Sequence, residues 1–446
     1  MNKRVLLMIT TLVSCIFLIL SCSKQVKKSD TIKENQTVAR SALPKISYID
    51  NNYTVPIEVC QFIVGNLGKL MPQMKMPENL VIEKSFTIND SLGSPNMYVF
   101  NLKRGGYAIL SADERYNPLL AVVAKGKYEN RKAPGGLIMW LDHTMDNINL
   151  AKSRKTEISK SSKTAWRYFV NKTINDDPNA AQRLLPIDNE GCCPDCPHYP
   201  ECLDDPSLSC NSIICNDEDP CGTLTFIQKG PYLLTQWGQW WGYNDMCPNL
   251  GCNPTGYNHN APTGCVATAM AQVIRYWAVP TPFNFNYSGM PNTYNYFYGN
   301  NTEIHRLMRK AADAVQMQWG CGGSKADNDD AADELKNTFG FSSANYTNTY
   351  NQSVLLANLN YGYPVILGGY RTRTWFWPFY GYENGHSWVC DGYYRYYNNC
   401  YSYLYLSMNW GWEGTDDGWY AYDNWNPPSA GGSYKYKQDM IYNILP

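Results

Sequence analysis

From Pro364 to the C-terminus, short aromatic runs alternate with Gly, Asn and Asp, and few folds tolerate that pattern. The chain holds 35 Tyr and 14 Trp, crowded into its last half. Aromatic residues favour the half-buried, pleated surface of a strand, and the intervening residues favour turns, so the pattern predicts a twisted antiparallel sheet or barrel rather than a helical bundle. Ahead of it, a small-residue apolar stretch predicts a helix from Cys265 toward Tyr276, stopped by Pro280, and a second helix is expected over Glu303 to about Met317. The fold class is therefore α+β. A length of 446 residues, 44% of them hydrophobic, suits two or three domains with sizeable cores. The net charge of −1, with no long basic stripe, argues against nucleic acid or an acidic partner.

The N-terminus is an address. Lys3 and Arg4 precede an apolar run from Val5 to Leu20, too short to span a bilayer comfortably. The run ends in Ile19-Leu20-Ser21-Cys22, which resembles a bacterial lipobox, with an ordinary signal peptide cut nearby as the alternative. On the lipobox reading residues 1–21 are removed and Cys22 carries lipid. Residues 22–43 are then a polar tether at the bacterial cell envelope, and the tethered protein sits on the outer membrane or cell surface until processing frees it.

Residues 44–155 read as a small α+β domain. Thr54 is a candidate cap for a helix carrying Ile57, Cys60, Phe62, Ile63 and Leu67. The runs 97–102 and 107–111 flank Lys103-Arg104-Gly105-Gly106 as strand, turn and strand, and 119–123 is a third strand. Leu137, Trp140, Leu141, Met145 and Ile148 share a face of a closing helix. The apolar pattern fades over 156–222, where Cys192, Cys193, Cys196, Cys202, Cys210, Cys215 and Cys221 lie among Pro, Asp and Ser. Cys193 and Cys196 have zinc-like spacing with His198 near, but no second ligand pair follows, which favours a disulfide-stapled loop. Of sixteen cysteines, setting aside Cys15, Cys22 and Cys265 leaves an odd number, so at least one should be unpaired.

Residues 223–446 carry the chemistry. In Pro262-Thr263-Gly264-Cys265-Val266-Ala267-Thr268-Ala269-Met270-Ala271-Gln272, a cysteine opens a helix, among unpaired amides and at the positive end of the dipole, where a thiolate is favoured. The other reading of such a cysteine is a disulfide or a buried structural thiol. Gly385-His386-Ser387-Trp388-Val389-Cys390-Asp391-Gly392 offers an imidazole that a thiol nucleophile needs within hydrogen-bond reach, or a satisfied core histidine. Asn409-Trp410-Gly411-Trp412 offers an amide to hold the imidazole tautomer and an indole to shield it, or plain aromatic packing.

Cys, His and Asn in that order, with the Cys opening a helix, is the papain-like arrangement. The three blocks together resemble the streptopain family of bacterial cysteine peptidases over most of 223–446. The 44–155 segment resembles that family's inhibitory propeptide, notably Val99-Phe100-Asn101 and Tyr107-Ala108-Ile109-Leu110-Ser111-Ala112-Asp113. The resemblance implies a two-lobed papain-like peptidase made as a zymogen, acting on proteins or peptides without metal or organic cofactor, and held silent by its own propeptide. It implies Cys265 as nucleophile, His386 as general base, Asn409 as the group orienting the imidazole, and Trp410 stacked beside it. Gln239 is the better match to the family's oxyanion donor and Gln236 the fallback. Glu413 stands where the family often has a glycine, and the 192–221 cysteines have no place in the family pattern. Two rivals are a catalytically silent surface-binding lipoprotein on this scaffold and an acyl transferase of papain-like fold.

Overall fold

The computed structural model describes residues 53–71, 80–129, 135–153, 225–252, 258–294, 301–376, 379–399, 402–422 and 438–446, with isolated positions at 34–35, 74, 162, 165–166 and 168–170. The signal segment, Cys22, most of the tether and the 192–221 cysteines lie outside the described residues. Among those residues no helix is long and apolar enough to cross a membrane.

The N-terminal part begins with α1 (Ile57–Gly65) and α2 (Leu67–Leu70). Thr54 does not cap α1. It bridges to Asp113 instead, and Pro56 takes the cap position with its fixed φ near the helical value. Strands β2 (Ile82–Asn89), β3 (Pro95–Leu102), β4 (Tyr107–Ser111) and β5 (Leu119–Val123) form an antiparallel meander, joined at its outer edge by β1 (Glu34–Asn35). Helix α3 (Gly135–Ser153) packs Leu137, Trp140, Leu141 and Ile148 into the core beneath.

The C-terminal part has two lobes. One holds α4 (Cys265–Trp277), α5 (Thr302–Ala314) and α6 (Asn328–Asn337). Every residue from Val266 to Ile274 is buried. Ala267, Ala269 and Ala271 allow α4 to lie deep between its neighbours, against Leu307, Met308 and Ala311 of α5 and Ala331 and Leu335 of α6. Each large apolar side chain buried there contributes about 1.5–3 kcal/mol. The other lobe is antiparallel sheet: β6 (Thr225–Lys229), β7 (Ser343–Thr347), β8 (Val365–Phe376), β9 (Phe379–Tyr397), β10 (Ser402–Asn409), β11 (Gly418–Ala421) and β12 (Asp439–Leu445), with α7 (Gln352–Asn360) against it. This is the α+β, helix-plus-sheet arrangement expected of a papain-like peptidase behind a small α+β segment.

The two parts share one sheet of twelve strands, ordered β1-β2-β3-β4-β5-β11-β10-β9-β8-β12-β7, with β6 on β9. The seam is β5 against β11, pairing Val123 with Gly418, Val122 with Trp419 and Ala121 with Tyr420. Side chains cross it as well. Trp140 donates to the Ala421 carbonyl at 3.2 Å and Tyr405 to the Leu119 carbonyl at 3.0 Å. Tyr107 donates to Asp416 Oδ1 at 2.8 Å in a buried setting.

Candidate active site

Cys265 is the first residue of α4, and Gly264 before it has φ +93, a region that side-chain-bearing residues rarely adopt. A Cβ on Gly264 would also lie 2.8 Å from the Met317 thioether, so the turn that presents Cys265 needs glycine twice over. Donor groups of Ser387, Val266 and Cys265 itself favour the thiolate form of this sulfur. Burial outweighs these donors and pushes the thiol above its ordinary value.

His386 sits in β9, one residue from Ser387, and is buried. Burial pushes its imidazole down to about 4, against the hydrogen bond that it makes with the Trp410 carbonyl. That bond runs from Nε2 at 3.0 Å. A carbonyl only accepts, so Nε2 carries the proton and Nδ1 keeps its lone pair. The thiol is thus held neutral and the imidazole is held neutral in the tautomer of a base.

Asn409 does not orient this ring. Its Nδ2 donates to the Thr235 carbonyl at 2.8 Å, and its Oδ1 accepts from Gln272 Nε2 at 3.0 Å and from the Gly411 amide at 3.2 Å. The carboxamide is committed to tying the 235 segment, helix α4 and the 411 turn together. The expected role falls to the main chain of the next residue. Trp410 is held for it on two sides: its amide donates to Asp417 at 2.8 Å and its indole to the Asp416 carbonyl at 3.0 Å. Its ring centroid lies 6.5 Å from that of His386, tilted by 31°, beside rather than stacked on it. Trp388, at 5.9 Å and 15°, is the ring that stacks on the imidazole.

Gln239 is half-buried, and its carbonyl accepts from the Thr263 amide at 2.8 Å, which brings it beside the turn into Cys265. Gln236 is turned elsewhere, with Oε1 3.3 Å from Lys125 Nζ and its carboxamide against Gly414. Of the two glutamines, Gln239 is the one whose main chain lies beside the turn into Cys265.

Three contributors went unassigned in the sequence although they lie inside its motifs. Gln272 anchors Asn409. Asp391 receives the Leu233 amide at 2.8 Å and the Ser407 hydroxyl at 2.8 Å, pinning the 231–233 segment. Ser387 donates its hydroxyl to Asn328 Oδ1 at 2.9 Å, tying β9 to α6. Among the described residues one disulfide, Cys252–Cys321, joins the loop before α4 to the turn after α5, and Cys60, Cys247, Cys265 and Cys390 are free. Lys125, from the N-terminal part, donates to the Glu413 carbonyl at 2.8 Å and so rests on the loop that carries Trp410.

The peptidase C10 family model matches residues 237–420, and the model described as Spi protease inhibitor matches residues 67–148. The chain is 21% identical to streptopain of Streptococcus pyogenes over 420 residues, covering 83% of this chain and 85% of that one. It is 23% identical to the thiol protease/hemagglutinin PrtT of Porphyromonas gingivalis over 380 residues, which are 78% of this chain but 37% of that protein. A prointerpain A fragment of Prevotella intermedia aligns in three dimensions at 23% identity and a TM-score of 0.48, over 79% of this chain and 96% of the fragment.

Proposed function

Because the chain belongs to the streptopain family of cysteine endopeptidases and carries an inhibitory propeptide domain, we propose that Cys265 and His386 are its catalytic pair and that Cys22 anchors it by lipid to a bacterial envelope. The observation that carries the pair is the Nε2 bond to the Trp410 carbonyl, which leaves Nδ1 free as a base.

In the reaction the thiol proton passes to His386 Nδ1, giving thiolate and imidazolium. The thiolate attacks the scissile carbonyl carbon. The oxyanion accepts from the Cys265 amide, left without a helical partner at the start of α4, and from the Gln239 side chain. The imidazolium returns its proton to the leaving amine, and water, activated by the same imidazole, then hydrolyses the thioester. Asn409 acts at one remove, by holding the turn whose carbonyl fixes the ring.

Residues 44–155, or that part of them which the family model covers, act as the intramolecular inhibitor, and the tether after Cys22 keeps the precursor at the outer membrane or cell surface until processing. Replacing Cys265 by Ala should abolish hydrolysis of casein by the matured chain while the fold persists, and a clean preparation that still turns over would refute the assignment. Incorporation of labelled palmitate that is lost in Cys22→Ala checks the anchor. Label retained in that variant refutes it.

A further inference from the structure

A short run, residues 324–328, reaches from the turn that presents Cys265 to the strand that presents His386. On the Cys265 side, Ser324 Oγ donates to the Pro262 carbonyl at 2.6 Å and accepts from the Gly320 amide at 3.4 Å. The Ser324 carbonyl oxygen lies so close to Gly264 that a Cβ there would stand 3.1 Å from it. On the His386 side, Asn328 is the first residue of α6, and its Oδ1 accepts from Ser387 Oγ at 2.9 Å. Asp327, at the cap position, does not cap its own helix with its side chain and accepts instead from Tyr370 Oη at 3.3 Å. The Tyr370 ring packs against Gly385, where a Cβ would stand 2.8 Å from it. The run therefore grips the strand on both sides of His386 while its other end holds the turn into Cys265.

Ser324, Asn328, Ser387 and Asp439 are all buried, where apolar contacts would cost less. The Asn328 carboxamide has one permitted direction. Its Nδ2 donates to Asp439 Oδ1 at 2.6 Å, and because a carboxylate only accepts, the carboxamide oxygen must face Ser387. Gly368 makes room for it. That glycine pairs with Asp439 on one side and Ser387 on the other, and a Cβ there would stand 2.3 Å from Asn328 Nδ2. Apolar surfaces can slide past one another, whereas a hydrogen bond has a set length and direction.

We propose that Ser324 and Asn328 are positioning residues that set the distance between the Cys265 sulfur and His386 Nδ1 across the boundary of the two lobes. Neither touches the reacting atoms. Each acts through a neighbour in the chain, Ser324 through Pro262 and Asn328 through Ser387. Misplacing one reacting group by about 1 Å can cost ~100-fold in rate, so a strap of this kind bears on turnover more than on substrate binding. The proposal rests on Cys265 and His386 being the catalytic pair.

The test uses the matured chain, with the folded fraction taken from near-UV circular dichroism. It reads kcat and KM on a peptide reporter, the thermal midpoint, and the pH midpoint of Cys265 alkylation by iodoacetamide. Asn328→Ala should lower kcat per folded molecule by about 10- to 100-fold while KM holds. It should also raise the alkylation midpoint by about one pH unit, because the imidazolium that stabilises the thiolate stands less well placed. Ser324→Ala should do the same from the other end. Ser324→Thr and Ser387→Thr keep the hydroxyls and should restore most of kcat relative to the Ala variants. Joining Ser324→Ala to Asn328→Ala should cost little beyond either alone, since one broken end already frees the span. A purely structural role gives a different result: a lower thermal midpoint, with kcat per folded molecule and the alkylation midpoint unchanged. That result, full additivity in the double variant, or failure of both Thr variants to restore turnover overturns the strap. If Asn328→Ala does not fold, Ser324→Ala and Ser387→Ala decide in its place. Cys265→Ala and His386→Ala keep the two readings apart. Hydrolysis remaining in either removes the pair itself, whereas both inert beside unchanged Ser324→Ala and Asn328→Ala removes only the strap.

Discussion

Replacing Tyr107 by Phe should loosen the inhibitory domain without touching Cys265 or His386. The Tyr107 hydroxyl donates to Asp416 Oδ1 at 2.8 Å across the seam, and the tyrosine is fully buried. Burial pushes the Asp416 carboxyl from the ordinary 3.8 up to about 6, and Tyr107 opposes that rise. At pH 8 the carboxylate is charged, and losing its donor costs about 1.5–3 kcal/mol of docking, or ~10- to 150-fold more undocked chain. At pH 5 the carboxyl is neutral and the loss shrinks to about 1 kcal/mol, some 5-fold. The sign for the unmodified chain follows from the same shift. The docked state holds a proton that an exposed Asp416 would release, so docking is strongest below pH 3.8 and weakens as pH rises through 6. Tyr420 and Lys125 also face this loop, and Asp417 next to it is itself pushed up to about 8 by burial. The assay is the labelling rate of Cys265 by a peptidyl epoxide in the uncleaved chain, divided by the rate in the matured enzyme to cancel thiol ionisation. Equal rates for Tyr107→Phe and the parent at pH 8, or a larger effect at pH 5, would refute the reasoning.

Three further outcomes are expected. Gln239→Ala should lower kcat by about 10²–10³ with little change in KM, while Gln236→Ala leaves kcat near the parent value, as steady-state kinetics will tell. His386 should titrate near pH 4 by NMR in the uncleaved chain; because unfolded histidine takes its proton near 6.5, this group's contribution to stability is present above 6.5 and is lost as pH falls toward 4. Replacing Cys252 and Cys321 together by Ser should cost about 4 kcal/mol on the chain-entropy argument for their 69-residue separation, measured by denaturant unfolding of the Cys265→Ala chain.

Much of the fold could be read from residue pattern alone. Gly-Cys followed by alternating alanines marked α4, and the Lys103–Gly106 turn marked the β3–β4 hairpin. β2 escaped because Ile82-Glu83-Lys84-Ser85-Phe86 mixes charge into a half-buried strand near the rim of the sheet. Helix α6 escaped because Asn328-Asp329-Asp330 looks like a loop until the helix is seen to bury only Ala331, Ala332 and Leu335 beyond its first residue. The β5–β11 seam joins residues almost 300 positions apart and leaves no local trace. At the site, side chains were legible and main chain was not. Asn409 drew attention as the amide that should hold the imidazole, yet the holder is a carbonyl, a group present at every position. Ser387 passed as filler in a histidine motif because nothing in one dimension reveals its partner Asn328, 59 positions away.

The shared sheet gives maturation a second cost beyond hydrolysis of the connection. Cutting the chain anywhere between β5 and β6 leaves the Val123–Gly418 ladder intact, so the severed segment remains clamped until it unzips or is digested. Once it leaves, Gly418–Ala421 becomes a raw rim with unpaired amides and carbonyls, flanked by Trp419, Tyr394, Tyr396 and Tyr405 that had been sealed against Phe100 and Leu110. Such a rim is a template for any extended peptide. The liberated enzyme therefore carries a sticky margin along β11, and what next adheres to it shapes the working lifetime of the protease.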